Sequence, residues 1–429
     1  MKKILLILAL VIFPINTFAW YTELDNPEIK KLLDNPDFKI DRSKIVINTS
    51  DWHADPKTNP NLDTLRYYML KYNVDSKPRA GQRIIKASPN PYEFKSELKN
   101  FKLLNKELST KGIISYLYYE KDKIIIDEIT PKDRLGMFVN NKTKLRSNSM
   151  NKSLTSYILG HAICDGYIES IESSINDWPL VKNSLYENHK LIDLLNMASG
   201  DQKIIYDSHI LSNGKHVRDE TFSIDNKSVK NFITYFQNKE SKKKKYNYTS
   251  ANTHLIMNYV LFKSKGNFQK ILNKVFKEKA KIKNSVFFFK KGAPEEFGNA
   301  GVMFYASRYD WLRIAKIIMD DYQNNTCVGK YLKEIYDRRI PKGNLQGVKS
   351  EPSFNRTKSY GGQFHFDYPG IKKKVVFGMG GRSGQAILID MEDSRIIVIN
   401  SIHFNEDRYK YNVKKLLIDP IKKGEKAFK

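Results

Sequence analysis

The sequence predicts an α+β fold in which both ends of the chain build one antiparallel sheet and a helical region lies between them. Three observations carry this expectation. From Gly112, "GIISYLYYEKDKIIIDEI" sets two β-branched and aromatic runs around a charged turn at Glu120 to Lys123, a hairpin pattern. From Asn148, "NSMNKSLTSYILGHAICDG" is apolar on every side, as in a helix buried all round. Near the C-terminus, "KKKVVFGMGG", "GQAILIDME" and "SRIIVINSI" are short apolar runs separated by Gly or charged turns, the pattern of consecutive antiparallel strands.

The remaining elements follow in order. Residues 1–19 resemble a secretory leader: Lys2 and Lys3, an apolar run from Ile4 to Phe13, and Thr17-Phe18-Ala19 as a small-residue cleavage site. The mature chain is then periplasmic or secreted, with no later membrane span. Residues 20 to about 105 are broken by Pro27, Pro36, Pro56, Pro60, Pro78, Pro89 and Pro91 and read as an N-terminal extension around a main domain, with one helix near Asn61 to Tyr72. The main domain spans 106–429, its sheet drawn from about 106–147 and 300–429 and its helical part from about 149–300. Within the helical part, "LIDLLNMASG" closes at Gly200 and "SANTHLIMNYVLFKSKG" at Gly266. "YASRYDWLRIAKIIMDD" follows, with Ser307 as its cap.

Composition narrows function. The formal charge of +26 becomes +24 once Lys2 and Lys3 leave with the leader. Such a balance suits an anionic surface or polymer. The lysines are scattered among Asn and Ile with no aromatic-interleaved basic motif, which argues against nucleic acid. The runs Lys242 to Lys245 and Lys372 to Lys374 read as solvated loops. Cys164 and Cys327 are the only cysteines; because Cys164 falls inside the buried helix, an inert core thiol is expected over a bridge. His161 and Cys164 share a helix face at ligand-like spacing, yet no further ligand is recognisable nearby, and a core pair is expected over a metal site.

The buried helix opens on Ser149 and Lys152. Serine needs a base to become a nucleophile, and three residues of helix bring the ammonium to the same face. The helix N-terminus favours a developing alkoxide and disfavours a protonated lysine, and desolvation pushes the lysine the same way. Alone the pair is equally a helix cap and a snorkelling lysine. In company it is not alone. "SMNKS" at Ser149, "YTSANTHLIMNYVL" at Tyr248 and "FGMGGRSGQAILID" at Phe377, with "LLNMASG" at Leu194 and "GNAGVMFYASRYDWLRIAK" at Gly298, resemble the serine β-lactamase and penicillin-binding protein family. The likeness is to its class C, esterase and 6-aminohexanoate-oligomer-hydrolase branch and covers roughly residues 112–400.

The resemblance implies a β-lactamase-like fold, an antiparallel sheet flanked by helices plus a helical subdomain. It implies that Ser149 is acylated, that Lys152 is its base or proton shuttle, and that Tyr248 relays a proton to the leaving group. Which of Lys152 and Tyr248 takes the first proton stays open. It places the oxyanion between the backbone amides of Ser149 and Arg382, and Ser250, Asn252, Met379, Gly380 and Gly381 along the substrate. No metal or organic cofactor is required. Two departures from the penicillin-recognising pattern lower the expectation of β-lactam hydrolysis: Ser250 stands where Asn follows Tyr by two places, and Met379-Gly380-Gly381 replaces Lys-Thr-Gly or His-Thr-Gly. Arg382 offers a positive charge for a substrate carboxylate. The expected activity is hydrolysis of a small amide, ester or short peptide by an exported enzyme, with contact to cell wall or another anionic surface as a further possibility. The alternatives are a peptidoglycan-directed D-amino-acid carboxypeptidase or peptidase, a catalytically silent binding protein of the same fold, and an anionic-polymer binder.

Overall fold

A computed structural model describes residues 34, 36–45, 61–70, 74–75, 83–201, 229–241, 244–289, 300–343, 357–402 and 409–428. The leader and most of the loop 201–227 lie outside the described residues.

In chain order the strands are β1 Val74–Asp75, β2 Arg83–Ile85, β3 Lys95–Ser96, β4 Ile113–Glu120, β5 Lys123–Ile129, β6 Lys144–Arg146, β7 Val286–Phe289, β8 Met303–Ala306, β9 Ile340–Pro341, β10 Ser359–Gly361, β11 Phe364–Phe366, β12 Val376–Gly381, β13 Gln385–Asp390 and β14 Arg395–Ser401. The helices that matter below are α1 Leu62–Tyr68, α2 Lys102–Thr110, α3 Asn151–Cys164, α4 Leu191–Leu195, α5 Ala251–Lys263, α6 Arg308–Gln323, α7 Cys327–Asp337 and α8 Asp419–Lys423.

The main sheet runs β3-β5-β4-β14-β13-β12-β11-β10-β9, antiparallel except for the parallel β3–β5 edge. The β4–β5 hairpin turns at Lys121 and Asp122, both at positive φ, the geometry that matches strand twist in a two-residue loop. The C-terminal strands join it through β14, whose Ile396 and Val398 pair with Tyr119 and Leu117. One sheet is thus completed from both chain ends, as the pattern of runs requires. β4 is buried along its whole length because both sheet faces are covered. Leu117 and Tyr119 face a core shared with α3 and α6, while Tyr116 and Tyr118 face α2 and the C-terminal helices.

A second sheet, β1-β6-β8-β7-β2, was not legible in the sequence. Its outer strands come from the proline-broken N-terminal region: β1 pairs with β6, β2 with β7, while β3 joins the main sheet. The described parts of residues 20–105 therefore contribute strands to the body of the molecule. The helix expected near Asn61 is α1, capped by Asn61 accepting from the Thr64 amide.

Helix α3 is buried from Asn151 to Ala162, as its all-round apolar sequence demands. Three contacts pin it to α7. A Cβ on Gly160 would meet the Tyr331 ring at 2.6 Å, so glycine sets the approach. The Ser156 and Tyr331 hydroxyls are 2.8 Å apart. Cys164 is disulfide-bonded to Cys327, with Cα atoms 5.9 Å apart. This corrects the expectation of an inert thiol. The last turn of α3 meets the first turn of α7, a tertiary fact invisible to helix-face reasoning on Cys164. It also takes that sulfur from any pairing with His161, whose imidazole packs edge-on against Tyr157.

Candidate active site

The site lies where three short segments converge. The first is the turn Asn148–Met150, a single 3-10 turn leading into α3. Asn148 takes φ 45°, a left-handed conformation that asparagine tolerates better than most residues. The turn's neighbour Ser147 is fixed to β8 from both sides: its amide donates to the Phe304 carbonyl (2.8 Å) and its hydroxyl accepts from the Phe304 amide (3.1 Å). Ser149 makes no capping bond to the helix, so the cap reading of this serine fails. Its side chain is half-buried at the helix mouth.

The second segment is the end of β12. Gly380 and Gly381 pair with Ala386 and Gln385 on β13. A Cβ on Gly381 would sit 2.7 Å from the Ser147 carbonyl oxygen, a backbone atom that cannot move aside cheaply. Only glycine lets the strand end lie this close to the nucleophile turn. Asn148 Nδ2 donates to the Arg382 carbonyl at 2.8 Å, closing the contact. Ser149 and Arg382, the expected oxyanion donors, are thereby placed on adjoining backbone. The Arg382 side chain is exposed.

The third segment leads into α5. Lys152 is almost fully buried, at 4% exposure. Its Nζ lies 3.5 Å from Ser149 Oγ and 3.2 Å from Ser250 Oγ, and 4.9 Å above the centre of the Tyr248 ring. Lys152 therefore meets Ser250 through its hydroxyl and Tyr248 through its aromatic face. Tyr248 and Ser250 are both exposed, and Tyr248 at 40% is among the most exposed aromatics described. A nucleophile, a lysine whose amine form can take its proton, and the Ser250 hydroxyl within reach of that nitrogen can move a proton from an attacking serine to a departing group.

Two residues expected along the substrate point elsewhere. Asn252 is fully buried; its Oδ1 accepts from Ser199 Oγ (3.0 Å) and its Nδ2 faces Met197 Sδ (3.9 Å). It braces the segment after α4. Met379 is fully buried in the larger core with Phe377. In a strand, alternate side chains face opposite ways, and Met379 takes the core side.

Behind the site, the β10–β11 turn at Gly362 and Gln363, both at positive φ, clamps the helical part to the sheet. Gln363 accepts from Thr253 on α5 through Oε1 (2.9 Å) and from Ser153 on α3 through its carbonyl (2.7 Å). Its amide donates to the Leu195 carbonyl. No local pattern announces this hub, because its members are single polar residues scattered across the chain. A separate cavity of about 340 Å³, lined by Tyr336, Arg339, Lys358, Asp367 and the Lys372–Lys374 loop, shares no residue with the Ser149 cluster.

No family model matches the chain, and no curated protein matches it in sequence. Solved structures match it in shape. A Bacillus anthracis protein provisionally named a 6-aminohexanoate-dimer hydrolase superposes with a TM-score of 0.57 over 85% of this chain and 93% of its own, at 13% identity. A Bacteroides dorei protein provisionally named a β-lactamase does so at 0.53, over 73% of this chain and 93% of its own, at 12% identity. The chain has the serine β-lactamase-like fold. In a β-lactamase-like fold the α+β expectation is met by the sheet, with α2 and α8 on one face and α3, α6 and α7 on the other.

Proposed function

We propose that this protein is an exported serine hydrolase that cleaves an amide or ester through an acyl-enzyme on Ser149. The observation that carries the proposal is the run Ser149 Oγ, Lys152 Nζ, Ser250 Oγ at 3.5 and 3.2 Å, with Lys152 buried against the Tyr248 ring. Burial disfavours the charged form of a lysine, which suits Lys152 to accept a proton. Ser149 Oγ attacks the substrate carbonyl as its proton passes to Lys152, and the new oxyanion lies toward the amides of Ser149 and Arg382. Collapse breaks the bond to the leaving amine or alkoxide. That group takes the proton from Lys152 through the Ser250 hydroxyl and, as the family resemblance implies, that of Tyr248, and water then hydrolyses the acyl ester by the same groups.

Export is supported by the leader-like residues 1–19 and by the Cys164–Cys327 bond, since disulfides persist in oxidising compartments. A short amide substrate is favoured by the Tyr248-x-Ser250-x-Asn252-Thr253 arrangement, which resembles that of 6-aminohexanoate oligomer hydrolases. The test compares wild type with Ser149→Ala on p-nitrophenyl esters, short linear amides, D-Ala-D-Ala peptides and nitrocefin, alongside labelling by a fluorophosphonate probe. Labelling and turnover that vanish in Ser149→Ala support the proposal. Equal turnover in both proteins, or no labelling of Ser149, ends it in favour of a binding protein.

A further inference from the structure

The cavity of about 340 Å³ apart from the Ser149 cluster is lined by more positive charge than its own carboxylate can balance. Its volume falls in the range of small-molecule sites. Asp367 is the one carboxylate among the lining residues, and it is already engaged: it accepts from Arg339 Nε at 3.1 Å and from the Ser359 hydroxyl. Lys374 is also taken, by Asp390 at 2.8 Å and by Asp393, neither of which lines the cavity. Lys358, Lys372 and Lys373 remain. All three are exposed, and among the described residues no side chain pairs with their ammonium groups. Arg339 spends Nη1 on the Tyr336 carbonyl at 2.8 Å, which leaves Nη2 with no partner among the described residues.

These cations are mounted on a fixed frame. The guanidinium of Arg339 lies 4.0 Å over the Tyr336 ring, and that ring stacks on Phe377 of β12 and meets Phe366 of β11 edge-on. Lys358 is tied to the facing strand by its amide, which donates to the Asp367 carbonyl. The segment bearing Lys372 and Lys373 is held at one end by the Ile371 amide on the Tyr368 carbonyl and at the other by Lys374 on Asp390. Gly370, at φ 87°, turns the segment toward Ile418, whose methyl a Cβ there would meet at 3.5 Å. The run Lys372–Lys374, expected as a solvated loop, is therefore one wall of a cavity. Its floor is apolar, formed by Tyr336, Val375 and Val376. Cations gathered round a concave, low-dielectric surface repel one another and concentrate counter-ions there.

We propose that this cavity is a binding site for a phosphate ester carried on an apolar or aromatic body. Lys358, Lys372, Lys373 and the Arg339 Nη2 take the phosphate, and Tyr336, Val375 and Val376 take the body. A phosphate monoester brings close to two negative charges and three acceptor oxygens, which matches several separate donors better than a carboxylate does. The site stands apart from the proposed chemistry. Val376 and Gly381 are opposite ends of β12, and five residues of strand span roughly 17 Å.

The experiment titrates the intact protein by calorimetry with phenyl phosphate, inorganic phosphate and benzoate at neutral pH. Wild type is compared with a Lys372→Gln, Lys373→Gln double variant, with Lys358→Gln, and with a Lys265→Gln, Lys270→Gln control whose exposed lysines lie outside the cavity. Wild type should bind one phenyl phosphate saturably, more tightly than inorganic phosphate or benzoate. The double variant should lose about 10-fold or more in affinity, since each lost contact is a charge-assisted hydrogen bond, while the control stays within about 2-fold. Lys358→Gln carries the same test if the double variant does not fold. No saturable phenyl phosphate binding, benzoate bound as tightly, or an equal loss in the control would overturn the assignment. Co-sedimentation with phosphatidylglycerol vesicles distinguishes the source of the ester. Vesicle binding that needs Lys372 and Lys373 supports the site with a lipid headgroup as ligand, and phenyl phosphate binding without it supports a soluble ester. None of these readings involves Ser149, so failure of the hydrolase reading and failure of this one are separate results.

Discussion

Asn148 Nδ2 donates to the carbonyl of Arg382 at 2.8 Å and so joins the residue before the nucleophile to the residue after β12. The bond spans the two backbone segments from which the oxyanion donors are expected, and its donor residue is held at φ 45°. A donor pair built on two segments keeps its geometry only while the segments keep theirs, and small misplacements of reacting groups cost large factors in rate. Asn148→Ala is expected to lower kcat by about 10- to 100-fold with a smaller change in KM, because it removes the tie and puts a less tolerant residue at positive φ. Asn148→Gly relieves the backbone but not the tie and should recover only part of the loss. Steady-state kinetics on the best p-nitrophenyl ester checks this; recovery to wild type in Asn148→Gly would assign the effect to strain alone.

Ser250 and Tyr248 both contact the Lys152 Nζ, one through its hydroxyl and the other through its ring, so their contributions should overlap. Ser250→Ala and Tyr248→Phe are each expected to slow turnover by about 10²-fold, within the range for a proton-transfer group. The double variant should fall little further than the slower single, since groups that act as a unit are strongly non-additive. Single-turnover acylation rates separate the cases. An undiminished Ser250→Ala would remove that hydroxyl from the relay despite its 3.2 Å contact with Lys152.

The Cys164–Cys327 bond closes a loop with a sequence separation of 163. In the chain-entropy account a loop of this size contributes about 5 kcal/mol. Reductant is expected to lower the melting temperature by several degrees, and a Cys164→Ala, Cys327→Ala double variant should melt low with or without it. The bond joins the end of α3 farthest from Ser149, so labelling of Ser149 at 25 °C should survive reduction.

Acid should destabilise the fold through buried histidines. Burial lowers the His161 pKa to about 4, and lowers those of His189 and His365 below the ordinary value. The folded chain then binds fewer protons than the unfolded one, so this stability is complete above about pH 6.5 and drains away as pH falls toward 4. His161 alone accounts for roughly 3 kcal/mol across that window. Melting temperatures between pH 8 and 4 should decline, and His161→Gln should flatten the decline. A slope unchanged by the substitution would assign the acid limb elsewhere.

What was readable in the sequence was what repeats along it. The β4–β5 hairpin, the all-apolar α3 and the three C-terminal strands each carry a period or a turn signal over six residues or more. The Ser307 cap of α6 was readable because its partner, the Asp310 amide, is three residues on. The second sheet was not, since β1 and β2 are two and three residues long and carry no period. Gln363 and Asn148 stayed silent for a different reason. Each is a single polar residue given its neighbours by topology, and no local spacing announces a contact between Ser153 and Gln363, 210 residues apart.

The pairing of β4 with β14 also governs how this chain can be made. Ser115 and Asn400, whose side chains hydrogen-bond at 3.0 Å across these strands, are separated by 285 residues. During synthesis β4 emerges early and waits, its β-branched and aromatic edge open, until nearly the whole polypeptide has followed. Such an edge is a template for the wrong partner as much as for the right one, and contacts this distant in sequence form slowly. The strand pair that joins the two ends of the sheet therefore forms late, which places a long aggregation-prone interval between ribosome and native state.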